Sequence, residues 1–253
     1  MRNIKIEIEY DGTDYCGWQV QNSPVSRVRS PRKRSIQETI EKILQKILHE
    51  KIKLIGSGRT DAGVHAKAQV ANFPLKSQIA LARLQEGLNA LLPKDIAITG
   101  ISEAGPDFHS RFSAKSKVYS YTILNRLHRS AILRNYAYFC RYPLDLNLMR
   151  REALTLVGRH NFWAFCASSG RGKNPRKSIK RIAIAKRNGL INIEIEADGY
   201  LYNMVRNIVG TLIDVGRGRL AKGSVKKILL SRNRPSAGPT VPAKGLCLLK
   251  VKY

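Results

Sequence analysis

The sequence predicts an α+β protein of two similar halves, each with the ferredoxin-like order of strands and helices and a mainly antiparallel sheet. Three observations lead there. Unbroken apolar/polar alternation from Ile4 to Tyr10 marks a strand at the start of the chain. Segments of helical period, opened by capping residues or stopped by proline, separate the strands, and the order strand, helix, strand, strand, helix, strand in the first half recurs loosely in the second. At 253 residues and 43% hydrophobic, the chain is long enough for one large core or two smaller ones, and too apolar to be disordered. The expected division is 1–107 and 108–253, with the two sheets meeting along their edges and a cleft between them.

Ile4-Lys5-Ile6-Glu7-Ile8-Glu9-Tyr10 alternates without a break, as a strand does when one face lies on a core. Asp11-Gly12 ends it in a turn. In the irregular segment from Thr13 to Gln21, Tyr15 and Trp18 either pack beneath the loop or stack on bases. Ser23 to Arg34 is rich in Pro, Ser and Arg with no apolar period and reads as a mobile basic loop. Ser35-Ile36-Gln37-Glu38 is a capping box, and Ile36, Ile40, Ile43, Leu44, Ile47 and Leu48 behind it share one face of a helix that runs to about Glu50. Ile52 to Ile55 reads as a strand, Gly56 to His65 as a glycine-rich loop, and Lys67 to Phe73 as the next strand. A helix from Ile79 to Leu91, with Leu81, Leu84, Leu88 and Leu91 inward, is stopped by Pro93, and Ile96 to Ile101 closes the half as a strand.

In the second half, Lys117 to Leu124 reads as a strand and Leu146 to Val157 as a helix. Ile179 to Ala185 and Leu190 to Ala197 form a hairpin around Asn188-Gly189, the dipeptide best suited to a two-residue turn. Tyr200 to Val215 is a helix apolar on more than one face, hence buried, and ends near Gly216 and Gly218. Ser224 to Leu230 is a shorter helix, and Leu246 to Tyr253 a last strand.

Charge narrows the partners. The chain carries 45 Lys and Arg against 18 Asp and Glu, a formal +27. Such an excess repels itself in a compact state unless a polyanion neutralises it, which points to nucleic acid. Five cations and no acid lie between Arg27 and Arg34, eight and no acid between Arg171 and Arg187, and five more between Arg217 and Lys227. Each run is either a solvated face or a set of phosphate contacts, and three unbalanced runs in one chain favour the second. No stretch approaches eighteen consecutive apolar residues, so no membrane span is expected, and with no leader at the N-terminus the expected location is the cytoplasm. Cys16, Cys140, Cys166 and Cys247 are far apart, without a C-x-x-C pair. Buried free thiols are expected, with no metal site.

Gly56-Ser57-Gly58-Arg59-Thr60-Asp61-Ala62-Gly63-Val64-His65 gathers three glycines, a guanidinium, a carboxylate and an imidazole. It is either a surface turn with an exposed ion pair or a loop that presents Arg59 and Asp61 to one ligand. Phosphate-loop, nucleophile-elbow and zinc-protease motifs are absent, which points to a reaction without cofactor or metal. In a strongly basic protein, a carboxylate that a neighbouring arginine keeps ionised can act as a nucleophile beside RNA phosphates.

Several blocks then carry a resemblance. They are Tyr10-Asp11-Gly12-Thr13 with Gly17-Trp18-Gln19; Arg59-Thr60-Asp61-Ala62-Gly63-Val64-His65-Ala66; Arg111-Phe112-Ser113-Ala114 leading to Tyr119 and Tyr121; Asn203-Met204-Val205-Arg206-Asn207-Ile208-Val209-Gly210; Ala237-Gly238-Pro239-Thr240; Pro242-Ala243; and Gly245-Leu246. Together they closely resemble the TruA-type tRNA pseudouridine synthases, in the family's order and along the whole chain. The resemblance implies two RRM-like halves, and conversion of uridine to pseudouridine at positions 38 to 40 of the tRNA anticodon arm without a cofactor. It implies Asp61 as nucleophile, Tyr119 stacked on the flipped base, Arg206 paired with Asp61, Arg59 holding RNA or the loop, and Leu246 near the reactive base. It also implies a homodimer with tRNA across its basic surface. The residues alone leave duller alternatives open. Leu246 reads equally as core; Tyr119 also reads as a strand aromatic, Arg206 as a helix cation and His65 as a loop-organising hydrogen-bond partner. Two other functions compete: a non-catalytic binder of structured RNA, and an RNA-cleaving enzyme using Asp61 and His65. Ser23 to Arg34 departs from the family pattern, being longer and more basic than the usual connection.

Overall fold

The computed structural model describes residues 1–19, 34–167 and 174–253. The basic loop expected at 23–34 lies outside them except for Arg34, as do the first members of the run from Arg171. The described residues form a mixed α+β protein whose strands pair almost entirely antiparallel. It divides into two compact units, Met1–Lys115 with Leu248–Tyr253, and Ser116–Cys247.

The first unit begins with β1 (Arg2–Tyr10), whose inward residues Ile4, Ile6, Ile8 and Tyr10 are almost wholly buried. Each such isoleucine contributes about 2 kcal/mol by leaving water, which is why strict alternation specifies this strand so firmly. β1 lies between β3 (His65–Leu75) and β4 (Ile96–Ala104), antiparallel to both. α1 (Ile36–Leu48) starts where Ser35 Oγ accepts the Glu38 amide and stops at His49, whose positive φ of 53° breaks the helix. α2 (Leu81–Leu91) buries Leu84 and Leu88, while Leu91 is 43% exposed and does not share the inward face expected of it.

The strand expected at Ile52–Ile55 shrinks to β2 (Ile55–Gly56), which pairs with β3. The reason lies in α1. Gln37 Nε2 donates to Leu54 O at 3.2 Å and Glu41 Oε1 accepts Leu54 N at 2.8 Å, so helix side chains satisfy the backbone that a strand partner would have taken. Tyr253 closes this unit from the far end of the sequence, with its ring 4.9 Å from Phe108 and its hydroxyl on Ser110 O.

In the second unit β5 (Ser116–Leu124), β9 (Leu190–Ala197), β8 (Arg176–Arg187) and β7 (Gly158–Asn161) lie side by side, with β6 (Tyr138–Phe139) parallel to the end of β5. β8 and β9 are the expected hairpin. Asn188 and Gly189 both take positive φ, 50° and 75°, as the turn requires. α3 (Leu146–Leu154) is capped by the Asp145 side chain and ends earlier than expected, ahead of Gly158 at φ 106°. α4 (Met204–Gly216) is buried on nearly all sides, and α5 (Ser224–Ser231) is held by Glu152, whose carboxylate accepts the amides of Gly223 and Val225. α4 begins four residues later than its apolar pattern suggests because Asn203 is left-handed at φ 59°. Tyr200 is thereby released to donate its hydroxyl to Ile195 O at 2.7 Å and Lys117 O at 3.0 Å. The final strand, β10 (Leu246–Lys252), begins in the second unit and ends in the first. All four cysteines are free, Cys140 and Cys166 buried and the other two partly exposed. Among the described residues, no helix is long and apolar enough to cross a membrane.

Candidate active site

The Asp61 loop joins β2 to β3 in the first unit. Its entry is tied to β3: Ser57 is wholly buried, its amide donates to Val70 O at 2.7 Å, its hydroxyl to Gln69 Oε1 at 2.6 Å, and Gln69 Nε2 donates to Gly58 O. Its exit is a tight turn in which the Val64 amide reaches Asp61 O and Gly63 takes φ 77°. Of the loop's own glycines, Gly63 alone needs that conformation; Gly56 is there for space, since a Cβ on it would lie 2.4 Å from Trp18 Nε1.

The segment after β1 clamps the middle of the loop. Thr60 Oγ1 and Tyr10 OH are 2.8 Å apart, and the Trp18 amide donates to Thr60 O. Gly12 and Gly17 allow this approach: a Cβ on Gly12 would fall 2.0 Å from Val64 O, and one on Gly17 2.5 Å from Thr60 O. Tyr15 and Trp18 are buried, so in this structure they pack beneath the loop. His65 is buried too, its Nδ1 3.1 Å from the Gly12 amide and 3.0 Å from Asp11 Oδ1, which ties β3 to the turn after β1. That is the loop-organising place expected of it. Asp61 is half-buried and Arg59 is exposed. The result is a half-buried carboxylate on a loop whose main chain is gripped by β3 and by the Gly12–Trp18 segment.

The remaining candidates belong to the second unit. Tyr119 lies on β5 opposite Ile195, 8% exposed, with its ring edge-on to Tyr200 at 5.1 Å. Tyr200 was not among the expected site residues. Its phenol is pushed well above the ordinary value, chiefly by burial, so it stays neutral and serves as a fixed wall beside Tyr119. Tyr121, on the same face of β5, donates to Pro242 O at 2.8 Å; burial raises its pKa, and Arg206 pulls the other way.

Arg206 projects from the first turn of α4, half-buried, with Nε donating to Val241 O at 2.7 Å and Nη1 to Asn203 Oδ1 at 2.9 Å. Met204, Val205 and Ile208 around it are buried, as its apolar flanks suggested. Leu246, 6% exposed, follows the short turn Ala243–Gly245, and a Cβ on Gly245 would meet the Tyr121 ring at 2.7 Å. Arg206, Tyr121 and Leu246 are thus linked by one segment, 237–246. Of the further partners, Asn207 and Thr240 lie in blocks that carry the family resemblance, while Arg234 has no local signature. Among the described residues, no group of His, Cys, Asp and Glu is placed to hold a metal ion.

A family profile described as tRNA pseudouridine synthase matches residues 6–113 and 153–253. The chain belongs to that family. It is similar to the tRNA pseudouridine synthase A of Clostridium acetobutylicum, 45% identical over 253 residues and the whole of both chains. It is likewise similar to those of Thermoanaerobacter pseudethanolicus and Caldicellulosiruptor bescii, each 44% identical over the whole of both chains. Among solved structures, a chain of a Cbf5-Nop10-Gar1 complex matches 83% of this one and 54% of its own length at 13% identity and a TM-score of 0.32, a likeness too weak to bear on the fold. The family profile covers the Asp61 loop, α4 and the closing segment from Ala237 to Leu246, but not Tyr119.

Proposed function

We propose that this pseudouridine synthase isomerises uridine at positions 38 to 40 of the tRNA anticodon arm, with Asp61 as the nucleophile and without a cofactor. The observation that carries the reading is the Asp61 loop. Its main chain is gripped by β3 and by the Gly12–Trp18 segment, while Asp61 itself is only half-buried. A nucleophile needs that combination, because a fixed backbone preserves the attack geometry that effective molarity depends on.

Asp61 attacks the uracil ring or the ribose anomeric carbon, and the carbon–nitrogen glycosidic bond breaks. The base turns while held, the ribose is rejoined to a ring carbon, and the bond to Asp61 breaks to return the free carboxylate. That carbon loses its proton and the freed nitrogen gains one, so the net change is isomerisation and no redox partner is consumed. The uridine must first leave the stack, at a cost of a few kcal/mol that stacking and phosphate contacts offset. Tyr119, braced by Tyr200, supplies the stacking face, Leu246 lies against the base, and Arg59 holds RNA. Arg206 pairs with Asp61 and keeps it ionised. The protein acts as a homodimer in the cytoplasm.

The test is to map pseudouridine in an unmodified tRNA transcript treated with the purified protein and with Asp61→Asn. Product confined to positions 38–40, and its loss in the variant with tRNA affinity kept, supports the reading; an active Asp61→Asn protein overturns it. Shortened RNA on a gel would instead identify a cleaving enzyme.

A further inference from the structure

One face of α4 carries polar residues along its length, and the stretch 234–241 meets most of them. Asn203, Arg206, Asn207, Gly210 and Thr211 share that face at spacings of three and four. Arg206 Nε donates to Val241 O at 2.7 Å. Asn207 Oδ1 accepts from the Thr240 hydroxyl at 2.5 Å and from Arg234 Nη2 at 2.9 Å, and Thr211 Oγ1 accepts from the Gly238 amide at 2.9 Å. The backbones themselves touch: a Cβ on Gly210 would lie 1.9 Å from Pro239 O, and one on Gly238 2.6 Å from Thr211 N.

Arg234 closes this arrangement from outside the helix. Its Nη1 donates to Ala237 O at 3.3 Å and Gly238 O at 3.0 Å, and its Nη2 to Thr240 Oγ1 at 3.1 Å as well as to Asn207. The fork therefore grips three of the four residues that immediately precede Val241. Asn207 cannot turn away, being wholly buried with Nδ2 on Phe165 O at 2.8 Å. Arg234 is half-buried, and burial lowers its pKa.

We propose that Arg234 is a positioning residue for Arg206. By locking Ala237–Thr240 onto α4 through Asn207 and Thr240, it places the Val241 carbonyl that sets the plane of the Arg206 guanidinium. The proposal rests on the reading of Arg206 as the ionic partner of the nucleophile. A guanidinium is a rigid planar fork, and Val241 O and Asn203 Oδ1 fix its plane here. If Val241 moves, the fork swings. α4 would stay in place, because Ile208, Val209 and Leu212 anchor it independently in the core. A shift of about 1 Å in such a group is enough to cost on the order of a hundredfold in rate.

The full-length protein carrying Arg234→Lys, Thr240→Val or Thr240→Ser tests this, with kcat, tRNA affinity and melting temperature measured for each. Lysine keeps the charge but not the fork, and valine keeps the shape but not the hydroxyl. The expected result is a roughly ten- to hundredfold fall in kcat for Arg234→Lys and Thr240→Val, little change in tRNA affinity, and recovery in Thr240→Ser. Combining Arg234→Lys with Arg206→Lys should cost no more than Arg206→Lys alone, since both act through one group. A lower melting temperature with kcat per folded molecule unchanged, or losses that add in the double variant, overturns the proposal and leaves the role of Arg206 standing. Full kcat in Arg206→Lys alone overturns the role of Arg206, and the proposal with it.

Discussion

The Asp61 loop and the Arg206 helix are each fixed by main-chain contact, yet by opposite means. In the first unit the grip depends on side chains that are missing. Gly12 and Gly17 bring the chain after β1 so close that a Cβ on either would strike the carbonyl of Val64 or Thr60. In the second unit the grip depends mostly on side chains that are present: the fork of Arg234, the amide of Asn207 and the hydroxyls of Thr211 and Thr240. The first arrangement should fail when an atom is added, and the second when a polar atom is removed. Gly210, whose Cβ would lie 1.9 Å from Pro239 O, shows that the second region also uses close approach, beneath its polar network.

The largest effect is expected from Gly12→Ala. Its φ is not in the left-handed region, so the backbone conformation suits alanine and only the clash with Val64 O at 2.0 Å is at issue. That oxygen is backbone, which yields less than a side-chain tip would. A loss of about 3 kcal/mol or more in urea unfolding is expected, with activity lost in whatever remains folded. Gly105→Ala is the control, because nothing lies within 4 Å of its added Cβ, and it should change stability by less than about 0.5 kcal/mol. Equal stability of the two variants would break the contrast between the regions.

Next in size is Asn207→Leu in the second unit. The branched shape is kept with bulkier ends, but Thr240 and one arm of Arg234 lose their acceptor and Phe165 O loses its donor. Leaving buried polar partners unsatisfied costs about 2 to 3 kcal/mol. Asn207→Asp keeps the acceptor for Thr240 and Arg234 but sets a carboxylate oxygen against Phe165 O in place of the donor, and with Arg234 opposite its charge it should unfold at a urea concentration between Leu and wild type. If Asp is as damaging as Leu, the network is held through Phe165 and not through Arg234.

Legibility in the sequence follows the range of the forces involved. β1 was readable because every second residue from Ile4 to Tyr10 is buried, and the β8–β9 hairpin because Asn188-Gly189 supplies its own turn. Both signals are complete within a few residues. The strand expected over Ile52–Ile55 failed because Gln37 and Glu41, fifteen or so residues away, satisfy the backbone of Leu54. The start of α4 was misjudged because apolar period does not reveal that Asn203 turns left-handed. At the site, the Asp61 loop stood out by its glycines, but the ones that grip it hardest, Gly12 and Gly17, lie some forty residues earlier and act through space. Arg234 had no local mark at all. A buried polar network is defined by who meets whom in three dimensions, and neither spacing nor composition carries that.

The smallest effect sharpens the comparison by removing a polar atom from the region held by close approach. Tyr10 is 2% exposed, and its hydroxyl meets Thr60 Oγ1 at 2.8 Å, one residue before Asp61. In Tyr10→Phe the ring still fills its place beside Trp18, 6.3 Å away between centroids, and no atom is added. The Trp18 amide on Thr60 O and the approach of Gly17 remain, so the loop keeps most of its grip. One hydrogen bond is worth about 1 kcal/mol, and that is the expected loss of stability, with kcat within about threefold of wild type. A far larger fall in kcat at unchanged stability would mean that the Tyr10–Thr60 bond, and not the glycine contacts, sets where the Asp61 carboxylate points.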